Sequence, residues 1–175
     1  RGDIGGNWTN FSGVLEVVTN SVNPSPTAWD FRVATATGFP RARVSLADNV
    51  SMYSRAAANS VIPFGELSGG PFATIRAASG GGGSPGQPFT LQVGGLNTDA
   101  TFAGTILDNV NILKVGTGKW TLTGASTFTG NTTVSNGVLA LAAAPEGGNG
   151  DIGASPVITV VAPGVLDVTG RSDGL

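Results

Sequence analysis

The stretch Leu113–Leu141 reads LKVGTGKWTLTGASTFTGNTTVSNGVLAL. Trp120 and Leu122 alternate with Thr121 and Thr123, the period of two that places one residue class on each side of a β-strand. Gly116, Gly118, Gly124, Gly130 and Gly137 break the stretch at short intervals, where the chain must turn and only glycine takes a positive φ comfortably. Thr132-Thr133-Val134 and Gly137-Val138-Leu139 continue in β-branched and aliphatic residues suited to strands. Short turn–strand units that cannot each bury a face alone are expected to stack, giving one coil of a β-solenoid. The expected inward ladder is Leu113, Val115, Trp120, Leu122, Phe128, Val134, Leu139 and Leu141.

The same alternation extends in both directions. Phe89, Leu91 and Val93 share a face, as do Ile158 and Val160, Leu166 and Val168, Leu15 and Val17, and Val44 and Leu46. Phe-x-Gly recurs at Phe11-Ser12-Gly13, Phe102-Ala103-Gly104 and Phe128-Thr129-Gly130, which reads as an inward aromatic before a tight corner. Gly104, Gly116, Gly118, Gly124, Gly130 and Gly137 are the expected structural corners. The best helical candidate, Arg55 to Asn59, is too short to hold by itself. Pro24-Ser25-Pro26 and Ser79 to Pro88 read as irregular loops in the N-terminal half, with a domain linker as the alternative for Gly80 to Gly83 and the Ser84-Pro85-Gly86 that follows.

Composition agrees with an all-β protein. Of 175 residues, 28 are glycine and 40% are hydrophobic, but only 11% are charged, against about 25% in an ordinary globular domain. That profile belongs to secreted β-rich chains. Net charge is −2 and the nine basic residues are scattered, so no electrostatic footprint for nucleic acid is present. No apolar run approaches the ~20 residues of a membrane span in this segment. With neither Cys nor His in the sequence, Ser-His and Cys-His nucleophile systems are excluded, and nearly every catalytic zinc site with them. No cofactor site is expected. Arg1-Gly2-Asp3 opens without a visible signal peptide and Gly174-Leu175 stops in mid-pattern, so residues 1–175 are read as a single solenoid segment of a longer protein.

From Leu96 to Leu141 the sequence resembles a family pattern almost position for position. The residues are Phe102/Gly104, Lys114/Gly116/Gly118, Trp120-Thr121-Leu122-Thr123-Gly124, Phe128-Thr129-Gly130, Thr132-Thr133-Val134 and Gly137/Leu139. They are similar to the autotransporter-associated β-strand repeat of secreted and surface bacterial proteins, with Trp120 in place of a more usual small Thr or Leu. Residues 96–142 are the clearest repeat unit and 143–175 the start of a further coil. The resemblance implies an all-β, right-handed parallel β-solenoid placed outside the cell or on its surface, with roles in passenger secretion, adhesion or display. It carries no catalytic residues to this chain.

Several motifs suggest chemistry and have a plainer explanation beside it. Asn97-Thr98-Asp99 matches one short motif of the polygalacturonases, but the further carboxylates such hydrolysis needs do not follow. A turn cap is the expected role of Asn97 and Asp99. Lys114 and Lys119, candidates for uronate lyase chemistry, stand where the repeat places or tolerates lysine. Gly147 to Asp151 is a single imperfect copy of a calcium-binding glycine-rich repeat that works only in tandem. Arg1-Gly2-Asp3 is an integrin tripeptide at a terminus, and Asn7, Asn10, Asn49 and Asn131 begin glycosylation sequons that the Thr and Ser content makes expected. Among Trp8, Trp29, Tyr53 and Trp120, the candidates for stacking on sugar rings are Trp8 and Trp29, whose neighbours are polar.

The sequence therefore points to a non-catalytic structural shaft of a secreted or cell-surface bacterial protein. Its expected partners are itself, by head-to-tail β-stacking through uncapped ends, or an extracellular polysaccharide bound as an attached module.

Overall fold

A computed structural model describes residues 2–19, 29–77 and 87–173. The loops expected at Pro24–Pro26 and from Ser79, Arg1, and Gly174-Leu175 lie outside these residues. So does the side chain of Trp29.

Every strand pairing is parallel, and the described residues contain no helix. The strands are β1 (Gly2–Ile4), β2 (Val14–Val17), β3 (Trp29–Val33), β4 (Phe39–Leu46), β5 (Val50–Ser54), β6 (Ser60–Gly69), β7 (Thr74–Arg76) and β8 (Phe89–Val93). They continue as β9 (Ala100–Phe102), β10 (Thr105–Leu107), β11 (Val110–Lys114), β12 (Lys119–Leu122), β13 (Thr132–Val134), β14 (Val138–Ala142), β15 (Ile158–Val160) and β16 (Val165–Gly170). Arg55–Asn59, the helical candidate, is a turn between β5 and β6 with Asn59 at φ 61.

The chain winds through three ladders in turn. The first is β1-β3-β5-β7-β10. The second runs from the N-terminal halves of β4 and β6 through β8, β11, β13 and β15. The third comprises β2, the C-terminal halves of β4 and β6, then β9, β12, β14 and β16. The second and third ladders form one 11-stranded sheet because β4 and β6 pass from one to the other without a break. Parallel strands need long crossovers, and here each crossover is the rest of a coil.

Side chains stack in columns along the axis. Phe89, Leu91 and Val93 of β8 are buried, with Thr90 and Gln92 on the other side, as the alternation requires. Val93, Lys114 and Val134 form one inward column, and Phe102 and Leu122 another. Trp120, Leu122, Phe128, Val134, Leu139 and Leu141 belong to the core. Leu113 and Val115 do not. They are half-buried, and Val110, Ile112 and Lys114 turn inward in their place. Both parities of VNILKV carry two or more apolar residues, so the period of two does not choose between them. The pairing of Ile112 with Leu91 and Lys114 with Val93 does.

Candidate functional site: coil corners and coil ends

The chemistry-bearing side chains gather at the corner where β11 gives way to β12. Lys114 is 1% exposed. Its stem lies in the inward column, and its Nζ donates to the carbonyls of Val115 at 2.6 Å, Gly116 at 3.0 Å and Asn136 at 3.3 Å. A long side chain can thread apolar surroundings and place its head where polar partners converge. Burial holds the ammonium's pKa below its ordinary value, and the Asp99 charge opposes that shift. All three of the ammonium's donors are taken by the backbone. The sequence signal for this lysine was its spacing to Gly116 and Gly118. Nothing in composition marked it as buried.

The six expected corner glycines fall into two physical groups. Gly116 and Gly137 have φ of 67° and 61°, the left-handed region that glycine tolerates. Gly104, Gly118, Gly124 and Gly130 do not have positive φ. A Cβ at these four would collide with a backbone carbonyl of the preceding coil: that of Ala73, Thr98, Gly104 or Val110 respectively. Close approach of neighbouring coils, rather than a left-handed turn, is what requires glycine there.

Asn and Asp side chains tie coil to coil. Asn97, itself at φ 61, accepts the Thr117 amide at 2.9 Å, and Asp99 accepts that of Lys119 at 2.7 Å. Asn111 accepts from the Asn131 amide at 2.8 Å, and each of these three links spans 20 residues, one uninterrupted coil. Asp48 serves Phe72 and Asn149 serves Ser172 in the same way. Asn97 and Asp99 thus each accept a backbone amide of the next coil. Lys119 is exposed, whereas Lys114 is buried.

The remaining motifs are structural in their surroundings. Gly147 and Gly148 form an exposed turn with φ of 94° and 88°, Asn149 bridges Ala143, and Asp151 accepts the Gly153 amide at 2.6 Å. Among the described residues no group of three or more His, Cys, Asp or Glu is placed to hold a metal ion. Asp3 pairs with Arg32, its partner across β1 and β3. Asn7 accepts from the amide and hydroxyl of Thr9. Asn7, Asn10 and Asn131 are exposed, and Asn49 is half-buried.

Of the aromatic candidates, Tyr53 and Trp120 are buried. Trp8 is half-buried: it packs edge-on against Phe11 with centroids 5.6 Å apart and tilted against Phe39 at 5.7 Å. Phe39 continues to Phe64 at 5.7 Å. Trp8 and Phe11 therefore close the N-terminal end of the second ladder with an aromatic plug. Among the described residues the last coil carries no such aromatic pair. Ile158 and Val160 are aligned with the inward columns of β13 but remain 44% and 46% exposed. Val157, Val161 and Val165 extend that apolar strip.

The profile of the passenger-associated-transport-repeat family matches residues 112–141. The repeat spans β11 to β14, so Lys114, Gly116, Gly118, Trp120 and Gly137 all lie inside it. No curated protein and no solved structure matches the chain.

Proposed function

We propose that this chain is a non-catalytic shaft segment of a secreted or cell-surface bacterial protein, a spacer that carries other parts outward. The single observation that supports it is the use made of the polar side chains in and just before the matched residues 112–141. Lys114, Asn97, Asp99 and Asn111 all bond backbone of their own or the adjoining coil. Catalytic or ligand-binding groups need free donors and acceptors aimed at a cleft. These are aimed at the scaffold.

The test is display. Fused between an epitope tag and an outer-membrane anchor, the segment should bring the tag outside the cell on a trypsin-resistant stalk. A segment that reaches the surface but is digested as quickly as an unfolded linker would overturn the reading.

A second role, end-to-end stacking into a filament, draws support from the half-exposed inward residues Ile158 and Val160. A strand edge with open backbone groups and apolar side chains invites another strand. Stacking of this kind is heterologous and does not close on itself. Monodisperse particles at every protein concentration would reject it.

A further inference from the structure

Asparagine precedes glycine twice in the chain, at Asn136-Gly137 and Asn149-Gly150. Such a dipeptide can react with itself, because glycine brings no side chain to obstruct its nitrogen as it approaches the asparagine carboxamide. The two pairs stand in opposite surroundings. The Gly150 amide donates to the Ala142 carbonyl at 2.8 Å, and Oδ1 of Asn149 accepts from the amide and hydroxyl of Ser172 at 2.8 and 3.2 Å. Nitrogen and carboxamide are each committed elsewhere. The Gly137 amide instead donates to Oδ1 of Asn136 itself at 2.7 Å, and among the described residues no backbone carbonyl takes it. It therefore already rests against the group it would attack. Asn136 is half-buried, within reach of water. Its main-chain carbonyl accepts from Nζ of Lys114 at 3.3 Å, and the Val115 and Gly116 carbonyls hold that ammonium in place at 2.6 and 3.0 Å.

We infer that Asn136-Gly137 is a self-modification site, at which the Lys114 ammonium directs the product to isoaspartate. The Gly137 nitrogen gives its proton to solvent and attacks Cγ of Asn136. The N–Cγ bond forms, the Cγ–Nδ2 bond breaks, and Nδ2 takes up a proton from solvent and leaves as ammonia. The product is a succinimide ring in which the Gly137 nitrogen is joined to both carbonyl carbons of residue 136. One water then opens the ring. Opening at Cγ gives aspartate in an unaltered main chain. Opening at the main-chain carbon leaves Gly137 linked through Cγ and frees the α-carboxylate, which is isoaspartate. In sum, water is consumed, ammonia is released and no electrons are transferred. Lys114 acts at two points. Its hydrogen bond draws electron density from the Asn136–Gly137 peptide, which makes the Gly137 N–H more acidic. The same bond polarises the main-chain carbonyl, so water opens the ring there. The carboxylate so freed lies beside the ammonium, which exchanges a neutral acceptor for an anionic one, the stronger bond. The inserted main-chain carbon enters a corner packed on the Gly116 and Gly118 carbonyls, where it records the age of the shaft.

The test is incubation of the full chain at neutral pH in heavy-oxygen water, folded and in guanidinium chloride. Peptide mapping by mass spectrometry, with electron-transfer fragmentation, reads the conversion and the isoaspartate share at both dipeptides. In the folded chain Asn136 should convert about tenfold faster than Asn149, the advantage of a held near-attack geometry. In denaturant, where neither dipeptide is held, the two rates should converge. The isoaspartate share at residue 136 should exceed that at residue 149, and the excess should vanish in denaturant and in Lys114→Met. Should Lys114→Met not fold, the comparison of folded with denatured wild type decides alone. Asn136 reacting no faster than Asn149 in the folded chain would overturn the site. An isoaspartate share equal in folded and denatured protein would overturn the part given to Lys114. A chain cut after residue 136 would show Nδ2 attacking the main-chain carbonyl instead, and would overturn the direction of attack.

Discussion

The indole Nε1 of Trp120 donates to the carbonyl of Leu67 at 2.9 Å, across 53 residues of chain and past the coil that lies between them. The reason is visible in the column. Trp120 sits on Ala100, whose small side chain leaves room for the indole to reach down. The β6–β9 ladder is confined to Gly69 and Phe102, and the indole N–H provides the Leu67 carbonyl with a donor.

Trp120→Phe should cost about 1–3 kcal/mol, the penalty of stranding a buried acceptor. Trp120→Ala adds a cavity and should cost about 3–5 kcal/mol. Urea unfolding with an unchanged slope checks both. A Phe variant as stable as wild type would mean that the Leu67 carbonyl has other means of satisfaction.

Lys114 makes stability depend on alkaline pH in a determinate direction. Its folded pKa is lowered by burial. Between that value and about 10.4, the unfolded value, the unfolded chain therefore binds more protons than the folded one. Stability contributed by this group rises with pH across that window and is flat below it. Lys114→Met removes the slope. At neutral pH the variant should also be less stable by about 1–3 kcal/mol, because three corner carbonyls lose their donor. Melting temperatures of the two proteins between neutral pH and pH ~10 should diverge in favour of wild type. Parallel curves would remove Lys114 as the source.

Much of the coil was legible beforehand, and the failures are local. The alternation in β8 and β12 identifies their inward residues because polar Thr or Gln occupies the other parity. In β11 both parities carry apolar residues, so alternation admits Leu113 and Val115 as the inward pair, whereas Val110, Ile112 and Lys114 take that place. Trp8 looked exposed beside Asn7 and Thr9, and only the fold brings Phe39 under it. β6 is harder still. Ile62 and Phe64 face inward on one ladder and Leu67 on the next, so the parity changes at Gly65, within a single ten-residue strand. Pro63 and Gly65 mark that bend in the sequence, but the strand runs on through them without a turn. Of the expected corner glycines, most meet the backbone of the preceding coil, and sequence does not distinguish that from a left-handed turn.

Gly124→Ala should be among the most damaging small substitutions. Its Cβ would strike the Gly104 carbonyl, which belongs to backbone and cannot rotate aside. Coils would have to part locally, at about 2–4 kcal/mol, in the range of severe overpacking. Gly147→Ala, at an exposed turn with open space around it, should cost about 1 kcal/mol from its left-handed φ alone. Thermal unfolding of the pair separates collision from backbone strain. Equal losses would contradict the distinction.

Asn111→Ala removes the acceptor for the Asn131 amide. The amide lies on an exposed residue, and water can replace much of the bond. The expected loss is about 0.5–1.5 kcal/mol, and Asn111→Asp should retain most of the stability. Hydrogen exchange at Asn131 should accelerate in the alanine variant and not in the aspartate one. Exchange unchanged by both would show that the side chain is not the amide's protector.

The five Asx links have a polarity. In each, the oxygen belongs to the earlier winding and the amide to the later. Asn97, Asp99 and Asn111 find their partners at a constant offset of 20 residues. A tandem duplication of one such unit in the gene would therefore arrive with both halves of the joint already cut. The copy would mate with its template below and offer the same fitting above, so the rod could lengthen in evolution without new residues having to be found.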